Sequence, residues 1–135
     1  MENNNELIFS AFAEKAKKRI EERKKLNTKQ FYVQDADVTL TLRGITEEEF
    51  SDISEMFESE IETDKYTLYT GCRELQEAAK CMMEQRELTE STRYKITEMF
   101  QLSDRTALVR EILKLSGFTA ESSVTPIRET DEVKN

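Results

Sequence analysis

The stretch from Phe31 to Ile61, FYVQDADVTLTLRGITEEEFSDISEMFESEI, decides the fold. Val38, Leu40 and Leu42 alternate with Asp37, Thr39 and Thr41, the two-residue period of a strand with one wet face. Phe31 and Val33 supply a shorter partner strand, and the Asp-rich QDAD between them has the composition of a tight connection. An antiparallel hairpin is the economical reading. Thr46-Glu47-Glu48-Glu49 then fits a capping box, in which a Thr hydroxyl and a Glu carboxylate satisfy each other's backbone N–H groups. Phe50, Ile53, Phe57 and Ile61 follow at helical spacing, predicting a second helix from about Glu47 to Glu62.

On the N-terminal side, residues 1–5 are a polar lead-in. Phe9, Phe12, Ala13, Ala16 and Ile20 recur at helical spacing, predicting a first helix from about Glu6 to Leu26. Its second half contains KKRIEERKK. Basic residues suit the negative end of a helix dipole, and they also suit an acidic partner; without interleaved aromatics or base-reading Asn and Gln, they do not suit nucleic acid.

Beyond the opening stretch, Gly44 marks the break between strand and helix. Residues 63–70 read either as a loop or as the start of a third helix, which runs from about Gly71 to Gln85 and buries Cys72, Leu75, Ala79, Met82 and Met83. Tyr94, Ile96, Met99 and Phe100 predict a short fourth helix ending at Leu102. Ser103 is a good N-cap for a fifth, whose apolar face is Leu108, Val109, Ile112, Leu113 and Leu115. Gly117 suits a left-handed C-terminal position, with Phe118 folding back on Leu113 in a Schellman motif. Residues 119–135, TAESSVTPIRETDEVKN, are polar, carry the only proline and are expected to be disordered. The fold class is α+β and predominantly α-helical: about five helices, with one small antiparallel hairpin near 30–43, in a single domain over 6–118. A two-stranded unit is marginal in water, so the Leu-rich helix at 102–115 or the Phe9 stripe is expected to cover it.

At 135 residues, with 37% hydrophobic and 36% charged side chains, the chain has enough for one modest core. No stretch approaches the roughly 20 apolar residues of a membrane span, and the N-terminus lacks a signal-peptide pattern, so a cytoplasmic protein is expected. There is no histidine, which removes the commonest general base and zinc ligand. Nor is there a nucleophile motif or a phosphate-cradling Gly loop, and the carboxylates follow helical rather than calcium-loop spacing. No enzyme activity, metal or cofactor is therefore expected. Cys72 and Cys81 fall nine apart in one predicted helix, roughly 13 Å along its axis and too far to bridge, so both read as reduced core thiols.

The net charge of −8 hides an asymmetry. Eight basic and three acidic residues lie between Glu14 and Lys29, whereas nine acidic and no basic ones lie between Glu47 and Asp64. Lys17, Lys18, Arg23, Lys24 and Lys25 can meet Glu47, Glu48, Asp52 and Glu55 of another copy, which predicts self-association head to tail. The acidic face also reads as a solubilising surface, or as a decoy that takes the place of phosphates on a nucleic-acid-binding host protein.

The order of the pieces carries a resemblance. An apolar FSAF helix, a basic linker, the hairpin with its acid-capped helix, a Tyr-bearing helix with a central Cys and a last helix closing in ILKLSGF follow in turn. Together they resemble the XkdN-like tail assembly chaperones of long-tailed bacteriophages and prophage elements. The local matches are LRGITEEEF (42–50) and MFQLSDRTALVREILKLSGF (99–118); the hairpin turn lacks the family's glycine, and Ser103-Asp104 stands where Gly-Glu is more usual. The resemblance implies a non-enzymatic protein that binds and solubilises the long helical tape measure protein. It also implies help for tail tube subunits polymerising around that client, and departure before the virion is finished. Phe9, Phe12, Phe57, Ile61, Tyr66, Leu68 and Tyr69 are the candidate apolar anchors for such a client, each with an ordinary core role as the alternative.

Overall fold

A computed structural model describes residues 4–118 and 122–127. The chain runs through α1 (Asn4–Lys24), β1 (Thr28–Val33), β2 (Val38–Arg43), α2 (Glu47–Met56), α3 (Glu60–Thr70), α4 (Arg73–Glu84), a 3₁₀ segment (Arg93–Met99) and α5 (Leu102–Leu115). It is a mostly helical α+β fold whose only sheet among the described residues is the antiparallel hairpin after the first helix.

The hairpin pairs Phe31 with Leu40 and Val33 with Val38. The period of two then puts Phe31, Val33, Val38, Leu40 and Leu42 on one face, and α4 and α5 cover that face while α1 does not. Asp37 takes the left-handed position that closes the turn, at φ 52°, with its N–H donating to the Gln34 carbonyl. Asp tolerates this conformation better than most residues, which accounts for a turn without glycine. The second edge of β2 is also occupied: the Arg43 N–H donates to the Gly71 carbonyl at 2.9 Å, and Leu42 bridges to Cys72.

The capping box forms as the sequence predicts. The Glu49 N–H donates to Thr46 Oγ1 and the Thr46 N–H to Glu49 Oε1, each at 3.0 Å. At the other end of the fold, the Phe118 N–H donates to the Leu113 carbonyl and the Gly117 N–H to that of Lys114, with Gly117 at φ 82°. These two bonds make a complete Schellman motif. The Ser116 hydroxyl accepts from the Ile45 N–H at 2.8 Å and donates to the Ile112 carbonyl, tying the end of α5 to the strand-to-helix junction. Here the backbones touch: a Cβ on Gly44 would lie 2.9 Å from the Leu115 carbonyl. The core runs through this contact, with Leu40, Leu42, Ile45, Leu68, Cys72, Phe100 and Ile112 almost wholly buried.

Several boundaries differ from the sequence reading. The second helix stops at Met56, because Phe57 turns extended and Ser59 caps a new helix by accepting from the Glu62 N–H. Residues 63–70 are therefore helix, and the acidic run is divided between α2 and α3. Cys72 precedes α4, and only it is a core thiol; Cys81 is exposed. The fourth helix is a 3₁₀ segment ending at Met99, and α5 begins at Leu102 with Gln101, not Ser103, as its N-cap. Asp104 and Arg105 donate their N–H groups to the Gln101 carbonyl, so Ser103 already lies inside the first helical turn. Finally, α1 begins at Asn4, inside the polar lead-in. In the predicted disordered tail, residues 122–127 have no regular structure, and 119–121 and 128–135 lie outside the described residues.

Candidate interaction surface

The first helix stands off the body. Its 21 residues exceed the length at which an isolated helix becomes marginal, and i,i+3 pairs (Lys17–Glu14, Arg19–Glu22, Lys24–Glu21) line its exposed side. No described element packs along it. Phe9 and Phe12 are 69% and 71% exposed, with Leu7, Ile8 and Ile20 more than half exposed beside them. Neither phenylalanine is core, and Leu7, Ile8 and Ile20 join them as candidates the sequence reading had not named. Scattered apolar side chains on a surface mean little, but Ile8, Phe9, Phe12 and Ile20 share one side of the helix, opposite Leu7, and form a patch that soluble chains ordinarily cover.

A second surface forms where α2, α3 and the 3₁₀ segment meet. Phe57, Tyr66 and Tyr94 make a ring cluster with centroids 5.4–5.9 Å apart, which Tyr69 extends at 6.3 Å from Tyr66. Phe57 is drawn into this cluster by the same extended turn that ends α2. Outside it lies an open cleft of about 510 Å³ with Tyr66, Tyr69, Ile53 and Met56 as its apolar lining, Asp52 on one wall and Arg93 on the other. The Arg93 guanidinium sits 5.7 Å from the Tyr69 ring, and its pKa is raised, chiefly by the neighbouring Tyr66 hydroxyl. Arg93 is 24 positions beyond Tyr69, a proximity that no local pattern reveals. Ile61 is half exposed on the first turn of α3, whereas Leu68 is fully buried and offers nothing to a partner. That removes Leu68 from the candidate anchors.

A network braces the cleft from below. Lys65, almost buried, donates to Glu62 at 3.1 Å and to Glu98 at 3.0 Å, while the Tyr94 hydroxyl donates to the other Glu62 oxygen at 2.8 Å. The Tyr94 hydrogen bond, then Lys65, hold the Glu62 carboxyl below its usual range; Glu98, then Glu62, hold the Lys65 ammonium above its own. Through Tyr94 these groups position the rings.

Lys17, Lys18, Arg23 and Lys24 are exposed on α1 and Lys25 just beyond its end, as are Glu47, Glu48, Asp52 and Glu55 on α2. A groove of about 740 Å³ brings Arg23, Lys24 and Lys25 to one wall and Glu47 and Glu48 to the other, with Leu26, Ile45 and Phe118 between. Arg23, Lys24 and Lys25 thus share one groove with Glu47 and Glu48 within a single chain, whereas Lys17 and Lys18 do not line it. Asp52 and Glu55 lie farther along α2 and do not line this groove.

Chemically reactive groups are few. Burial pushes the Cys72 thiol up to about 11, which keeps it protonated and inert at neutral pH. Among the described residues no three His, Cys, Asp or Glu side chains converge to hold a metal ion, and no helix is long and apolar enough to cross a membrane. Comparisons with protein-family models, with curated proteins and with solved structures find no significant match.

Proposed function

We propose that this protein is a non-enzymatic tail assembly chaperone that holds the tape measure protein of a bacteriophage or prophage soluble while tail tube subunits polymerise around it. One observation carries the reading: Phe9 and Phe12 stand exposed on a helix that projects from the body. Such a helix can lay its apolar stripe along an amphipathic client helix. A net charge of −8 keeps the resulting complex dispersed. The cleft between Tyr66 and Tyr69 supplies a second, shallower contact, and two weak contacts on one molecule suit a client that must be released. The work takes place in the cytoplasm of the host bacterium, and the chaperone is absent from the mature virion. Co-expression with a helical fragment of a bacteriophage tape measure protein tests this: the client's soluble fraction rises, and falls again with Phe9→Ser/Phe12→Ser. An unchanged soluble fraction refutes the reading.

The exposed acids of α2 favour a second reading, a decoy or adaptor that occupies a nucleic-acid-binding host protein. Division of the acidic run between two helices weakens it, since phosphate mimicry calls for a continuous charged face. Competition with DNA for a captured host protein distinguishes the two.

A further inference from the structure

We infer that α1 pairs with α1 of a second copy, antiparallel, along the ridge Ile8–Phe12–Ala16–Ile20. These residues follow one another at i+4 on one side of the helix. Ile8, Phe12 and Ile20 are 59%, 71% and 55% exposed; no described element packs extensively on α1, and of the three only Ile20 borders the groove shared with Ile45 and Phe118.

Size complementarity selects a copy of the same helix as the occupant. Read backwards about a two-fold axis midway between Phe12 and Ala16, the ridge sets Ile8 against Ile20 and each Phe12 over the Ala16 of the other copy. The large ring fills the space left by the small residue, as close packing requires. In a parallel pair Phe12 would meet Phe12 and Ala16 would meet Ala16, leaving a clash beside a void. Charge selects the same direction. From Asn4 to Ala13 the helix carries Glu6 and nothing basic, whereas 14–25 hold seven basic and three acidic residues. Antiparallel pairing lays each acidic half along a basic half; parallel pairing stacks +4 on +4.

Because the same stripe serves the client in the function proposed above, this pair is the client-free form, and client binding displaces it. Only this displacement rests on the proposed function. The association is apolar, so it persists in about 0.5 M salt, where exposed charges more than a few ångströms apart are screened.

Light scattering on the full chain supplies the test. Twice the 15.8 kDa chain mass is expected at low and high salt; a monomer at both, whether or not it binds anionic vesicles, overturns the pairing. Phe12→Ala gives a monomer, and the swap Phe12→Ala/Ala16→Phe restores the dimer, since the two-fold axis merely exchanges ring and hole. A swap that stays monomeric overturns the Phe12–Ala16 contact. For direction, Ile8→Cys and Ile20→Cys chains in a Cys81→Ser background are oxidised together and apart. Mixed disulfides are expected, and a predominance of Ile8–Ile8 or Ile20–Ile20 disulfides from the separate chains overturns the antiparallel arrangement. A dimer that does not solubilise the client leaves this inference standing and removes the proposed function; a monomer that solubilises it does the reverse.

Discussion

Arg43 grips Glu49 with both ends of its guanidinium, Nη1 to Oε1 at 3.0 Å and Nη2 to Oε2 at 2.9 Å, while the same Glu49 closes the capping box of α2. One carboxylate therefore locks the end of β2 to the start of the next helix. The pair is one-third exposed, so solvent screening reduces its worth to about 1 kcal/mol, and losing the box costs about 1 kcal/mol more. Glu49→Ala should lower stability by about 2 kcal/mol and Thr46→Ala by about 1, measured by urea unfolding. Equal losses would show that the Arg43 contact adds nothing.

The pH dependence follows from the same carboxylates. Arg43 holds the Glu49 carboxyl below its ordinary 4.5, and the Tyr94 and Lys65 contacts do so for Glu62. For Glu74 burial pushes upward, but donation from the Thr41 N–H and hydroxyl outweighs it and leaves the group lowered. A lowered carboxyl contributes stability above its unfolded value and loses it as pH falls through the folded one. Asp64, raised by burial, acts in the opposite sense. With three groups against one, the melting temperature should hold down to about pH 5 and fall below the ordinary 4.5. A protein equally stable at pH 3 and pH 6 would contradict this.

Gly44 and Gly71 both sit under α5, but against different atoms. A Cβ at Gly44 meets the rigid backbone of Leu115, whereas at Gly71 it meets the end of the Ile112 side chain at 2.7 Å. Gly44→Ala should cost about 3 kcal/mol, at the upper end of overpacking penalties, with no rescue from trimming α5. Gly71→Ala should cost less, and Ile112→Val should recover part of the loss. A non-additive double mutant of that sign is the readout.

Leu68 and the α1 phenylalanines separate stability from function. Leu68→Ala removes a fully buried side chain and should cost about 2–5 kcal/mol. Phe9→Ser/Phe12→Ser should leave the unfolding midpoint of the body within about 0.5 kcal/mol of the parent. A large loss in the second case would place α1 in the core.

The two thiols make a rapid check of the packing. At neutral pH a maleimide should label exposed Cys81 within minutes and leave buried Cys72 unmodified until the chain unfolds. Labelling of both in the folded protein would mean that α4 is misplaced.

Features set by a few neighbouring residues were legible in the sequence: the alternation of Val38, Leu40 and Leu42, the Thr46–Glu49 box and the Gly117–Phe118 stop. Each rests on hydrogen bonds or periodicity within one or two turns. The break at Phe57 was not, because Phe57 and Ile61 continue the same helical spacing, and only their tertiary positions, one in a ring cluster and one at the surface, separate them. The α1 stripe shows the converse limit. Its apolar period identifies a helix with one dry face but cannot say whether the dry side lies inside the molecule or against another chain. The cleft residue Arg93 carries no local signal at all.

The central claim is that the exposed α1 stripe holds a helical client. Its most direct measurement is the soluble fraction of a co-expressed helical tape measure fragment, with the parent chain, with Phe9→Ser/Phe12→Ser and with Glu47→Lys/Glu48→Lys. The account predicts a rise with the parent, none with the double serine variant and a largely retained rise with the charge reversal. A rise that survives the serine variant, or vanishes only on charge reversal, would contradict it.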